Sequence, residues 1–212
     1  MKTSRIIATV SLMALFGQAN AASVVYDLTA TDVAGFFGPD PFGTVTLTEN
    51  GANVDFVVQM NAAYDLVRTG NKTPFAFMAT GVVKGDVKNI DANGNPPDAS
   101  LVAIAPAPAT PFGTLTIGIT CPNGNTGCQN GSPGSIIDPL KFTVKYATLS
   151  DFGSRNDKGA AFVVDAICVD ETNQLCINGA TGSIANVPLP GALGFMGMAL
   201  AALGLVGRKR HN

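Results

Sequence analysis

Apolar and polar residues alternate along much of this chain with a period of two. In "GTVTLTENGANVDFVVQM", Val45 and Leu47 share one side of a strand, and Val54, Phe56 and Val58 share one side of the next. Asn50-Gly51 between them supplies the turn of a hairpin. The same parity aligns Leu115, Ile117, Ile119 and Cys121 in "TLTIGITC", and sets Phe142, Val144 and Tyr146 against Lys141, Thr143 and Lys145 in "KFTVKYAT". "AAFVVDAICVD" places Phe162, Val164, Ala166 and Cys168 on one side, with Val163, Asp165 and Ile167 on the other; "KTPFAFMATGVV" pairs Phe75 with Phe77. Stretches dense in Gly, Pro, Asn and Asp separate these runs, among them "AGFFGPDPFG", "DANGNPPDAS", "APAPATPFG" and "CQNGSPGS". No window before Val187 sustains a helical period.

Short strands at near-regular spacing, with no helices to cover a parallel sheet, predict an all-β domain: an antiparallel, jelly-roll-like β-sandwich of about eight or nine strands. An up-and-down barrel is the architectural alternative.

Both ends break the alternation. The opening "MKTSRIIATVSLMALFGQANAAS" sets Lys2 and Arg5 before an apolar run over residues 6–16. Ala19-Asn20-Ala21 follows, which completes the three-part pattern of a secretory signal peptide helix. Cleavage is expected between Ala21 and Ala22, so residues 1–21 are leader and residues 22–186 the exported domain. Near the other end, residues 191–207 carry no charge. As a helix they extend about 26 Å, enough to cross a thin membrane when the flanking residues snorkel. The basic flanks at Lys2 and Arg5 and at Arg208, Lys209 and Arg210 both belong on the cytoplasmic side, which puts the intervening domain across the bilayer. Pro188 and Pro190 hold the approach to this helix extended, where a protease can reach it.

Val187-Pro188-Leu189-Pro190, the small apolar helix and Arg208-Lys209-Arg210 together resemble the PEP-CTERM sorting tail, in its VPLPA-type variant, found on exported proteins of Gram-negative bacteria. Leu189 stands where the commoner motif has Glu, and Gly191 where the variant has Ala. The resemblance assigns residues 187–212 to sorting. It implies an exosortase as partner, a membrane-embedded cysteine protease or transpeptidase that processes such tails. It also implies an inner-membrane precursor delivered by signal peptidase and the secretion machinery, and a final place at the cell surface or in a biofilm matrix.

Composition narrows the partners. With 46% apolar and 13% charged residues, the 212-residue chain has the means to bury one core. Residues 22–186 contain eight Lys plus Arg and fifteen Asp plus Glu, a formal charge of −7 against −2 for the whole chain. An exported body this acidic lacks the basic footprint that nucleic acid requires, and its sign disfavours anionic lipid surfaces. Cys121 with Cys128 and Cys168 with Cys176 form two close pairs in a chain bound for an oxidising compartment. Local disulfides are favoured, each closing a turn-rich loop and contributing roughly 2.5 kcal/mol on the chain-entropy account. Zinc is disfavoured, because its knuckles usually set ligands about two to four residues apart.

Candidate chemistry is sparse. The only histidine, His211, lies beyond the apolar helix, so no Ser-His-Asp or Cys-His arrangement can form in the exported body. Glu49 and Glu171 are the only glutamates, and both fall in expected turns. A two-carboxylate hydrolase is therefore an alternative rather than the expectation. Asp91, Asn93, Asn95 and Asp98 in "DANGNPPD" offer oxygens at alternate positions, like the start of a calcium loop. Pro96 then occupies the place of the usual glycine and Val102 that of the bidentate glutamate, so a solvated turn is favoured and no cofactor is expected, with calcium the alternative. Without Trp, and with only Tyr26, Tyr64 and Tyr146, a stacking platform for exopolysaccharide is poorly supplied. Phe36 and Phe37 fit better as a plug at the end of the sandwich than as a binding tip. The expected function is that of an exported, non-enzymatic surface or matrix protein, the alternative a module that binds calcium or exopolysaccharide.

Overall fold

The computed structural model describes residues 21–36, 38, 40–92, 101–121, 128 and 139–187. Fourteen strand segments run through them: β1 (Ser23–Leu28), β2 (Ala30–Thr31), β3 (Gly43–Asn50), β4 (Asn53–Met60), β5 (Tyr64–Leu66), β6 (Phe75–Phe77), β7 (Val87–Ala92), β8 (Val102–Ile104), β9 (Ala107–Pro108), β10 (Thr114–Leu115), β11 (Ile117–Thr120), β12 (Leu140–Lys145), β13 (Phe162–Cys168) and β14 (Thr181–Ala185). Among the described residues no helix is long and apolar enough to cross a membrane. The expected leader helix and the helix over 191–207 lie outside the described residues.

Two antiparallel sheets share one core. The first has the order β1-β3-β4-β12-β7; the second runs β2-β14-β13-β6-β11-β8, with β5 also paired to β13. Among the described residues neither sheet closes on itself, which favours the sandwich-like arrangement over a closed barrel. Alternation in β3, β4 and β12 puts every second residue inside, and the cross-strand pairs Val45 with Val58 and Leu47 with Phe56 place the predicted apolar sets on one buried face. Aromatic rings join the layers. Phe56 of the first sheet stacks on Phe142 (centroids 4.6 Å apart) and tilts against Phe77 of the second (5.2 Å), while Tyr26 meets Phe162 across the gap at 4.6 Å. At one end Phe36 is buried beside Tyr64 and Phe42, so it closes the core; Phe37 lies outside the described residues.

The second sheet is covered on both faces, which the period-two reading did not foresee. Phe75, Phe77, Ile117, Ile119, Phe162, Val164 and Ile184 point into the main core. On the opposite face, Ala76, Val163 and Ala185 pack with Ala107, Ala109, Leu115 and Ala160 in a second, smaller core. The register lines Ala185, Val163, Ala76, Gly118 and Ile104 in one row across five strands. Ala185, Ala76 and Gly118 in this row are short, and the β9–β10 hairpin packs over them.

Three local readings shift. The hairpin between β3 and β4 turns at Gly51-Ala52, with Asn50 and Asn53 the last pair, so the turn lies one residue beyond Asn50-Gly51; Gly51 supplies the positive φ of 63°. Leu115 leaves the company of Ile117 and Ile119 for the smaller core. The switch falls at Thr116, whose hydroxyl donates to Phe77 O and accepts from Ala79 N, tying the chain between β10 and β11. Tyr146 does not continue the β12 face: the backbone turns left-handed there (φ 56°) and leaves the ring 83% exposed.

Gly118 tests the double covering. A Cβ there would lie 2.5 Å from Thr73 Cγ2 and 2.7 Å from Ala107 Cβ, closer than packed atoms tolerate. Gly118→Ala is expected to cost about 1–3 kcal/mol by overpacking, whereas Gly85→Ala, with open space around it, stays near neutral. Urea midpoints of the two variants check this.

Candidate functional site

The strongest polar feature grows from an interruption in one strand. β5 pairs with residues 166–168 of β13, and β6 pairs with residues 162–164, both antiparallel and along the same side. They are two halves of one broken strand. Residues 67–74 leave the sheet between them, opposite Asp165. The Asp165 backbone spans the break, its carbonyl accepting from Val67 N (2.8 Å) and its N–H donating to Pro74 O (3.0 Å).

Its side chain organises the excursion. Oδ2 accepts from Thr69 N and Thr69 Oγ1, each at 2.6 Å, and Lys72 Nζ lies 3.8 Å from Oδ1. Asp165 is 1% exposed, and Oδ1 has no hydrogen-bond partner among the described residues. Burial pushes the carboxyl up to about 6, against the downward pull of the Thr69 hydrogen bonds and the Lys72 charge; Asp32 adds to the rise. Asp32 itself accepts from Ser183 N at 2.7 Å, and Ser183 pairs with Asp165 across the β13–β14 ladder.

Thr73, Thr120, Asp165 and Ser183 are the buried polar or charged residues among those described. Asp165 and Ser183 form one cross-strand pair, Thr120 pairs with Val102, and Thr73 overlies Gly118, so the four make a polar band beside the row that runs from Ala185 to Ile104. Over the band's β11–β8 end opens a groove of about 660 Å³, lined by Arg68, Asn71, Lys72, Thr73, Val102, Ile104, Pro108, Thr120 and Cys121. Its size falls within the range of about 300–1,000 Å³ common to ligand pockets. Arg68 ties its rim to the cysteine loop, with its backbone N–H on Cys128 O and its guanidinium on Cys121 O at 3.3 Å.

The residues singled out from sequence are scattered. Disulfides join Cys121 to Cys128 and Cys168 to Cys176, the two local pairs, with Cα atoms 6.0 and 5.9 Å apart. Asp91 lies in β7 opposite Lys141, while Asn93, Asn95 and Asp98 lie outside the described residues. No group of three or more His, Cys, Asp or Glu that could hold a metal occurs among the described residues. Glu49 belongs to β3 rather than a turn; Glu171 follows Asp170, whose carboxylate accepts from Thr172 Oγ1 and from the backbone of Thr172, Gln174 and Leu175. Those bonds, led by Thr172 Oγ1, hold Asp170 down to about 2. Ala22 O accepts from Glu49 N, next to the expected leader junction, and Val187 packs on the smaller core. Ala19, Pro188, Leu189, Pro190, Arg208, Lys209, Arg210 and His211 lie outside the described residues. The groove was missed, although one signal was present: Asp165 is a lone carboxylate within an apolar run.

Comparison with known proteins leaves the site to its own geometry: no family model, no curated protein and no solved structure matches this chain.

Asp165 gives a pH dependence of fixed sign. Its carboxyl keeps a proton to higher pH when folded than the ordinary 3.8 of the unfolded chain. The native state therefore binds more protons between about pH 4 and pH 6, and stability falls as pH rises across that window. The shift corresponds to about 3 kcal/mol. Asp170 acts outside it, contributing stability that is lost as pH falls from about 4 toward 2. Asp165→Asn is expected to flatten the decline, measured by urea unfolding across the window. A wild-type curve that rises there would contradict the assignment.

Proposed function

We propose that this chain is an exported, non-enzymatic component of the cell surface or extracellular matrix. Its precursor carries a jelly-roll-like β-sandwich between a leader helix and a transmembrane helix. Signal peptidase removes residues 1–21 and an exosortase acts at Val187-Pro188-Leu189-Pro190, with Arg208, Lys209 and Arg210 held in the cytoplasm. The observation that carries this reading is the pair of closed local disulfides, Cys121–Cys128 and Cys168–Cys176, which suit an oxidising compartment. The leader pattern and the basic flanks of both apolar stretches agree with that direction of travel.

The groove beside residues 67–74 favours a second reading within the first, that the exported body is a binding module and acts through contact with a matrix ligand. A buried polar band beneath an open groove is costly to maintain as packing alone.

Intact mass spectrometry of the protein recovered from the producing cells, combined with surface proteolysis, tests the export reading. The expected species begins at Ala22, has lost the segment beyond the Pro motif, and is four hydrogens lighter than its reduced form because both disulfides are closed. A full-length, reduced chain confined to the cytoplasm overturns it.

A further inference from the structure

We propose that the groove beside residues 67–74 binds the uronic-acid units of an acidic polysaccharide, with the Lys72 ammonium holding the ring carboxylate and Thr73 Oγ1 bonding a ring hydroxyl. The proposal rests on the binding-module reading above and names its ligand chemistry.

Two independent observations point to a ligand. The first is the groove itself, about 660 Å³, whose lining includes two cations, Arg68 and Lys72, on a body otherwise rich in acids. The second is Thr73, 1% exposed and lining the groove, whose hydroxyl has no partner among the described residues. A buried hydroxyl without a partner is costly, and a ligand that supplies the missing bond recovers that cost.

The lining selects within anions. Asn71, Thr73 and Thr120 offer an amide and hydroxyls, whereas Val102, Ile104 and Pro108 offer aliphatic surface to the C–H face of a sugar ring. Thr120 and Val102 are cross-strand partners whose pairing forms the groove floor, so the ligand meets a sheet face. β8 is the end strand of its sheet, but the groove opens over the side chains of the β11–β8 face, where two cations beside polar and aliphatic groups suit a polyhydroxylated ring carrying a carboxylate better than a peptide paired through its backbone. The acidic body gives a polyanion no general attraction, so binding depends on the local cations.

The groups facing the Lys72 ammonium modulate the site. Asp165 from β13 lies 3.8 Å away, and Asp32, in the turn after β2, adds negative charge around Asp165. Protonation of Asp165 below about pH 6 removes the nearest competitor for Lys72, so uronate binding tightens on acidification as long as the uronate stays ionised.

Calorimetric titration of the protein recovered from the producing cells with trigalacturonate in the presence of a chelator tests this. Trigalacturonate is expected to bind and its methyl ester to bind at least about tenfold more weakly, with Lys72→Ala causing a loss of about the same size. Thr73→Val keeps the shape while removing the hydroxyl. It is expected to weaken binding about threefold or more while leaving the thermal midpoint unchanged or raised, a split that a purely structural role for Thr73 would not produce. No binding, equal binding of the ester, affinity unaltered in both variants, dependence on added calcium, or preference for an uncharged peptide with a free C-terminus would each overturn the proposal. The mass and surface-proteolysis measurements are independent of this titration, so loss of the ligand assignment leaves the export reading standing.

Discussion

Between Leu66 and Phe75 the chain must leave a sheet, cross a surface already closed to water, and return to the same neighbouring strand. Eight residues make the excursion, and a single residue of β13 holds it on three sides: the Asp165 carbonyl takes Val67, its N–H takes Pro74, and its carboxylate takes Thr69 twice. The two backbone bonds satisfy groups that the broken ladder would otherwise orphan, and the carboxylate takes up the N–H and hydroxyl of Thr69. The position of Thr73 over Gly118 follows from this anchoring, and with it the smallness of Gly118 and the closeness of Ala107. The groove wall exists because the excursion is pinned.

A buried carboxylate is an expensive pin. Its desolvation is offset only partly by two charge-assisted bonds from Thr69 and an ammonium 3.8 Å away. A neutral side chain of similar shape could accept from Thr69 as well, so stability alone does not require ionisable chemistry at 165. What the carboxylate adds is control over Lys72. Ionised, it competes for the ammonium; protonated, it releases the positive charge into the groove. The same group thus sets the fold of the excursion and the electrostatics of the surface it builds.

Much of the first sheet was legible because one face meets water, and alternation in β3, β4 and β12 reports that asymmetry directly. The second sheet carries a weaker signal. Its outer face is roofed by segments distant in sequence, so parity still sorts Phe162 and Val164 from Val163 and Asp165 but says nothing about what covers the latter pair. Asp165 reads locally as a solvent-facing acid, yet its partner Thr69 lies 96 residues away in sequence. Leu115 and Tyr146 fail for a related reason: one hydrogen-bonded threonine and one left-handed residue end a face that the pattern continues. Local cysteine spacing sufficed for both disulfides because each joins residues whose intervening chain is short enough to turn back on itself.

The oxidised cysteines and the groove are mechanically connected. Arg68, early in the pinned excursion, bonds both residues that the disulfide joins: its N–H donates to Cys128 O and its guanidinium to Cys121 O. Cys121 in turn follows β11, whose Thr120 floors the groove, and lines the groove itself. Closing Cys121–Cys128 fixes Cys128 O relative to β11, and thereby the height at which Arg68 and Lys72 stand over Val102 and Ile104. Without the closed disulfide this constraint on the wall is lost. The groove wall thus leans on a closed disulfide, the same feature from which export is proposed.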